Sequence, residues 1–425
     1  MRSAGESEQR AGSRKIGWLG PGLIMAASGI GASDVMTATI GGATYGGQLL
    51  WAVILGSFFK FVLSEGMARW QLATGLTMLE GWARHLPRWV LVGFAGYIVL
   101  WAVSVSGALI TGCGLGIENL TGGAVPRSWG GLVHGALAFV FIYLARTRGF
   151  ERAMKPLIVV MFLSIVICAG FAFREPAAVL KGLLLPTVPS GGGAYVLSVI
   201  GGIGGSLTLL SYNYLLRADR KVSPGELPGV RRDLLLAYVF TVVFGVSVML
   251  IASRTFHAME VTISGDDAVS GMARHLGELI GPLGSWIYSI GFWAAVTASL
   301  VGVWQSVPSM LADCYALLRR LPDDQRDAAM QMKSPVYRAG LIFMAVTSVP
   351  FAFAARPLAV IVVFTVLGSL FIPFLAGTLL YLNKRVLFPA PLRCNRPLTN
   401  VVLVVVLMGF GAVGVVEILE LCQNL

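Results

Sequence analysis

Charge is what this chain has least of: Asp, Glu, Lys and Arg make up 12 % of its 425 residues, against about 25 % in an ordinary soluble domain. A water-facing globule is thereby excluded. Histidine is scarce as well. His85, His134, His257 and His275 are all there are, and none stands in an H-x-x-H or H-E-x-x-H pattern, so no zinc-hydrolase motif is present. The five cysteines, Cys113, Cys168, Cys314, Cys394 and Cys422, lack C-x-x-C spacing and read as packing residues rather than a redox pair or a metal knuckle. No G-x-x-x-x-G-K-[ST] run occurs, so an ATP-driven pump is not encoded here. The chain is expected not to be an enzyme.

What fills the space is apolar: 56 % of residues are hydrophobic and the mean hydropathy is +0.78. Stretches of about 17–25 apolar residues read as membrane spans. Eleven are expected, over 16–43, 47–69, 88–116, 129–146, 154–173, 193–217, 233–253, 279–312, 335–354, 357–383 and 398–421. The polar residues 1–15 form a tail, and the first span is too long for a cleaved signal peptide, so it is expected to stay attached. With the tail cytoplasmic, 25 of the 32 Lys and Arg fall on the cytoplasmic side and 6 outside, Lys60 lying within a span. That asymmetry predicts a multi-pass protein of a bacterial inner-membrane type, with its N-terminus cytoplasmic and its C-terminus external. It also explains the net charge of +11 without nucleic acid, which is not an expected partner. The lipid bilayer is.

Two spans carry glycine where a lipid-exposed helix keeps every backbone group paired. The first is ASGIGASD over 27–34, and the second is VIGGIGGSLTLLSYNY over 199–214. Interruptions at mid-membrane imply backbone lining a protected cavity. They fall in the first and sixth spans, each the first of a group of five. Paired breaks at corresponding positions point to two inverted repeats, 16–173 and 193–383, with a midplane site between them, and 398–425 follows as an eleventh helix and C-terminus. Asp34 beside the first break is an intramembrane carboxylate, hence a candidate functional group, although it also suits a helix cap. Lys60 lies nine residues past Trp51, about 13.5 Å along a helix, and is expected to pair with Asp34 because buried charges are seldom left alone. Glu65 and Arg69 are placed as an i,i+4 pair. Asn213 and Gln305 are further pathway candidates, with interhelical packing the alternative for each.

Several stretches together resemble the Nramp family of divalent-metal transporters: GPGLIMAASGIGASD at 20–34, YGGQLLW at 45–51, MARWQLATGLTMLEGWARHLPRW at 67–89, GFERAMKPLIVV at 149–160, LLLPTVPSGG at 183–192, GGIGGSLTLLSYNYLL at 201–216 and IPFLAGTLLYLNK at 372–384. The resemblance implies an all-α membrane protein of the LeuT-type inverted-repeat fold with eleven transmembrane helices. It also aligns the metal-binding motifs. The family's Asp-Pro-Gly-Asn falls on Gly31, Ala32, Ser33 and Asp34, and its Ala-x-x-Met-Pro-His on Gly205, Thr208, Leu209 and Leu210. Its acidic pair on the third span falls on Trp101 and Ser104.

The substrate site is therefore placed at Gly31, Ser33, Asp34, Gly205, Ser206 and Thr208, with Asp34 and Thr208 the metal ligands if a metal binds. Replacing a thioether by a hydroxyl leaves hard oxygen donors, which disfavours the softer transition metals. The expected function is a secondary transporter moving a metal ion or other small substrate by alternating access, driven by a coupling proton or cation and without a resident cofactor, and not selective for manganese or iron. A carrier of a small organic solute and a non-transporting membrane sensor are the alternatives. Cargo and oligomeric state are left open by the residues.

Overall fold

The computed structural model describes residues 20–145, 147–189, 192–218, 223–259, 268–354, 357–385 and 395–423, and every regular element among them is helical. The tail 1–15 and residues 260–267 lie outside the described residues. The first repeat region contains α1 (Pro21–Gly29), α2 (Ala32–Tyr45), α3 (Leu50–Thr74), α4 (Met78–His85), α5 (Arg88–Leu120), α6 (Arg127–Leu144) and α7 (Thr147–Ala172). After α8 (Pro176–Leu184) come α9 (Gly193–Gly202), α10 (Ser211–Ala218), α11 (Leu227–Thr255), α12 (Ala268–Ile280) and α13 (Pro282–Arg319). The chain continues through α14 (Asp323–Ala329), α15 (Pro335–Ala352), α16 (Pro357–Arg385) and α17 (Pro397–Gln423).

Nine helical stretches among the described residues are long and apolar enough to cross a membrane. One of them, Ala32–Thr74, joins α2 and α3 through a 3-10 turn, and α17 contributes a shorter apolar segment, Pro397–Ala412. Separating α2 from α3 and adding α17 gives the eleven expected spans in order. The second begins at Leu50 rather than 47 and runs to Thr74, where Gly75 ends it with a φ of 73° that glycine adopts without strain. The eighth runs on to Arg319, seven residues past its expected end at 312. Short helices α4, α8, α12 and α14 occupy the connections. α4 starts at Thr77-x-x-Glu80, where the threonine hydroxyl accepts the Glu80 N–H and the glutamate accepts the Thr77 N–H, a reciprocal cap.

The two broken spans lie at the centre. α1 packs against α11 and α13, α2 runs along α11, and α13 lies on α5 and α7. α6 and α15 are peripheral, with Trp129, Leu137, Leu144 and Val346 exposed on faces suited to lipid. Close helix approach relies on small residues, as it does generally where lipid removes the hydrophobic drive. At Gly56 of α3 a Cβ would stand 2.5 Å from the Ile200 carbonyl of α9, so only glycine permits the contact. Lys60 is one turn further along the same face of α3 and is delivered to the end of α9.

Candidate substrate site

α1 stops at Gly29, and Ile30 and Gly31 are extended before α2 begins. Gly31 takes the N-cap position. Asp34, three residues on, turns its Oδ2 back to accept the Gly31 N–H at 3.1 Å and the Ser33 hydroxyl at 3.3 Å. At the carbonyl end of α1, Ser299 of α13 donates its hydroxyl to the Ser28 oxygen at 2.8 Å. A Cβ on Gly31 would stand 2.7 Å from that same Ser299 Oγ. The hydroxyl thus fills the space in which a longer side chain at 31 would have to start.

The second break follows α9. Gly204 and Gly205 have φ values of 87° and 77°, a region that side-chain-bearing residues seldom adopt. They let the chain reverse before the 3-10 turn Leu207–Leu210. The breaks touch, since a Cβ on Gly29 would lie 3.2 Å from the Gly205 Cα.

Asp34 and Lys60 meet here, though not as the expected direct ion pair. Asp34 Oδ1 accepts the Gly204 N–H at 2.5 Å. Lys60 Nζ donates to the Gly201 carbonyl at 2.8 Å and to the Ile203 carbonyl. The Ile203 C=O and the Gly204 N–H belong to one peptide group, and in a trans peptide they point in opposite directions. The two charges therefore clamp one peptide from its two sides, ammonium on the negative end and carboxylate on the positive end. A backbone unit stands where a salt bridge was expected, because each charge already has a nearer backbone partner. Both residues are buried, Asp34 at 3 % and Lys60 at 1 % exposure.

Between the breaks lies a cavity of about 20 Å³, room for roughly one water or one ion. Gly31, Ser33, Gly205, Ser206 and Thr208 line it, so five of the six residues placed at the site from the sequence are gathered around one space. Asp34 is not part of the lining. Its carboxylate lies behind Gly31 and Ser33, committed to the backbone. Thr208 Oγ1 is buried without a hydrogen-bond partner. Four further hydroxyl-bearing residues belong to the lining, Ser28, Ser299, Thr365 and Ser369, each donating its hydroxyl to a backbone carbonyl. No carboxylate, imidazole, thiol or thioether belongs to the lining, and among the described residues no three His, Cys, Asp or Glu gather as a metal cluster. Gly201, Gly202, Thr365 and Ser369 separate the cavity from a chamber of about 200 Å³ walled by α2, α9, α16 and Phe410, lining both.

The other candidates lie elsewhere. Asn213 and Gln71 exchange hydrogen bonds, the Asn213 amide donating to Gln71 Oε1 at 2.9 Å and the Gln71 amide donating to the Asn213 carbonyl at 2.8 Å. This is an interhelical lock between α3 and α10, away from the cavity. Gln305 offers its backbone carbonyl to the Tyr337 hydroxyl at 2.9 Å and lines neither space. Trp101 is fully buried against Phe364, and the Ser104 hydroxyl returns to the Trp101 carbonyl at 3.0 Å. Glu65 and Arg69 do pair, at 3.2 Å, and Arg231 joins them at 2.7 Å.

Two groups of residues escaped the sequence reading. Asp233 of α11 accepts the Gly22 N–H at 2.8 Å and the Tyr212 hydroxyl at 3.0 Å, anchoring the start of α1. At the α10 end of the molecule Arg326, 1 % exposed, binds Glu80 and reaches Asp313 Oδ1 at 2.6 Å. Tyr214 donates to Asp313 at 2.7 Å, and Arg217 joins Glu80 at 3.3 Å to Asp327 at 2.8 Å. Burial alone would raise the Glu80 carboxyl, but Arg326, the Thr77 N–H and Arg217 outweigh it and hold the group below the usual glutamate range. The cluster ties α4, α10, α13 and α14 together and closes the end opposite the chamber. Asp313 stands one residue past the expected end of the eighth span and falls inside α13 only because that helix runs on to Arg319, whereas Glu80 carried a readable signal, the capping-box spacing.

With the geometry in place, comparison with known proteins is informative. The family model described as natural resistance-associated macrophage protein-like, Nramp, matches residues 22–420. A divalent metal cation transporter MntH from Deinococcus radiodurans is 26 % identical over 310 residues, covering 70 % of this chain and 69 % of the relative. The MntH of Xanthomonas campestris is 27 % identical over 313 residues, with 70 % and 68 % covered. Among solved structures, a mutant of the Eremococcus coleocola manganese transporter superposes with a TM-score of 0.73 at 14 % identity, covering 94 % of this chain and 85 % of that one. A nucleobase-cation-symport-1 family transporter in a closed conformation gives 0.60 at 13 % identity, with 96 % and 93 % covered. At such identities the structural likeness speaks for the fold, which is of the LeuT type.

Proposed function

The chain belongs to the Nramp family, and we propose that it is a secondary transporter of a hard metal ion, bound by oxygen atoms where the two helix breaks meet and not selective for manganese or iron(II). The observation that carries this reading is the ion-sized cavity between the breaks, whose polar lining is hydroxyl-bearing residues and glycines set among Val105, Leu109, Val303 and Phe364, with no soft donor. Magnesium and calcium take oxygen ligands, and magnesium keeps several of its waters. Iron(II) gains where nitrogen or sulfur is offered, whereas manganese also accepts oxygen and is disfavoured here by the loss of the thioether and of the aspartate that the family's motifs place at 208 and 31. Asp34 contributes charge from behind the lining rather than a ligand, and Ser33, Ser206 and Thr208 meet the ion.

The cargo enters from the chamber beside α2 and α9 while the Glu80–Arg326–Asp313 cluster closes the far end. Alternating access requires that cluster to part. The Lys and Arg asymmetry supports a reading with the cluster on the cytoplasmic side, the N-terminus inside and the C-terminus outside. Protonation of Asp34 removes an acceptor from the Gly31 or Gly204 N–H and so loosens both breaks together, which supports a proton as the coupling ion.

Proteoliposomes loaded with a magnesium-sensitive dye, or with a manganese-sensitive one, test the cargo. Magnesium entry stimulated by an inward proton gradient is the expected result, with manganese entering at least about tenfold less efficiently, a difference of roughly 1.4 kcal/mol. Manganese preferred over magnesium would return the chain to the manganese-selective reading.

A further inference from the structure

In carriers with broken helices the exposed carbonyl ends of half-helices hold the coupling cation, because those ends carry the negative pole of the helix. Here the two such ends are closed in different ways. At the end of α1 a neutral hydroxyl, from Ser299, suffices. At the end of α9 a full positive charge arrives from another helix: Lys60 Nζ sits on the Gly201 and Ile203 carbonyls. Its stem runs beside Thr241 and Tyr238 of α11 under Gly204, and no carboxylate among the described residues forms an ion pair with it. An ammonium held by backbone carbonyls in a dry pocket, with a carboxylate one peptide group away, has the surroundings of a bound monovalent cation.

We propose that Lys60 is a tethered resident cation: its ammonium occupies the carbonyl end of α9 where an alkali cation would otherwise bind, so the protein needs no sodium or potassium ion at this position. The inference rests on the transporter reading for its meaning but not for its test. A carrier built this way keeps the second break neutralised in every state, since the tethered charge does not leave with the cargo. Sodium or potassium then has no place in the cycle at α9, which leaves the proton as the ion to be coupled.

The test is the thermal stability of purified full-length protein in nanodiscs, in choline, sodium, potassium or methylammonium chloride at equal ionic strength. The wild type is expected to melt at the same temperature in all four. Lys60→Ala is expected to melt at least about 5 °C lower in choline and to recover saturably with sodium, potassium or methylammonium, as linkage to a vacated cation site requires. A Lys60→Ala protein equally unstable in all four salts overturns the proposal and leaves Lys60 as an ordinary structural cap. Sodium- or potassium-dependent stabilisation of the wild type overturns it as well. Should Lys60→Ala not assemble, Lys60→Gln, which keeps an N–H donor and most of the volume, is read against the same outcomes. Because no cargo enters the measurement, its failure is distinct from failure of magnesium uptake.

Discussion

The two helix breaks solve one problem with different chemistry. The first is closed by a carboxylate of its own and a neutral hydroxyl: Asp34 reaches back three residues to Gly31, and Ser299 of α13 covers the Ser28 carbonyl. The second has no polar residue of its own on the exposed carbonyls or on the Gly204 N–H. It borrows Lys60 from α3 and Asp34 from α2. Only the second break therefore depends on charge delivered across helix interfaces. It is also the break whose two glycines have positive φ and whose Thr208 hydroxyl remains unpartnered toward the cavity.

The comparison breaks most sharply at Asp34, the residue shared by both. Asp34→Ala removes the acceptor of two buried N–H groups and leaves Lys60 without its counter-charge, so a loss of about 3–5 kcal/mol or more is expected, read as denaturant stability in micelles. Lys60→Met should cost a similar amount alone and less in an Asp34→Asn background, because no unbalanced carboxylate then remains buried. Additive losses in that cycle would mean that the clamped peptide carries no coupling between the charges.

A smaller effect belongs to the closed end. Since Glu80 titrates below the usual glutamate range, its pairing stabilises the protein at neutral pH, is fully present above about pH 4.3, and is lost as acid carries the pH down through its folded value. The stability gap between wild type and Glu80→Gln should accordingly stay constant from pH 7 to about 4.5 and narrow below it. A gap that narrows already near pH 6 would contradict this. The smallest effect is at the first break. Ser299→Ala strips the cover from the Ser28 carbonyl and is expected to cost about 1 kcal/mol, well under the Lys60 change. An equal cost at both ends would erase the distinction between a neutral and a charged closure.

The breaks themselves were legible because glycine in mid-membrane has few structural uses, and the spans because hydrocarbon thickness sets a length that apolar runs must meet. Five small or hydroxyl residues of the site could be placed from their spacing around those glycines. Ser299, Thr365 and Ser369 could not, since a serine in an apolar helix carries no mark of the face it presents. The Asp34–Lys60 relation was half legible: scarcity of charge in the spans suggested that the two belong together, but the peptide between them is a tertiary fact. The Arg326 cluster was hidden for another reason: Glu80, Arg326 and Asp327 lie in connections that read as solvated, and their partners Tyr214, Arg217 and Asp313 stand at the ends of spans far apart in sequence. The family's leading aspartate falls on Gly31, where Ser299 occupies the space that such a side chain would need.

Calorimetric titration of magnesium and of manganese into the same purified protein, with Thr208→Val beside the wild type, tests the oxygen-lined site most directly. Magnesium is expected to bind the wild type in preference to manganese, and Thr208→Val, which keeps the volume and removes a buried unpartnered hydroxyl beside the cavity, is expected to weaken magnesium by about tenfold. Micromolar manganese binding that Thr208→Val leaves unchanged would contradict it.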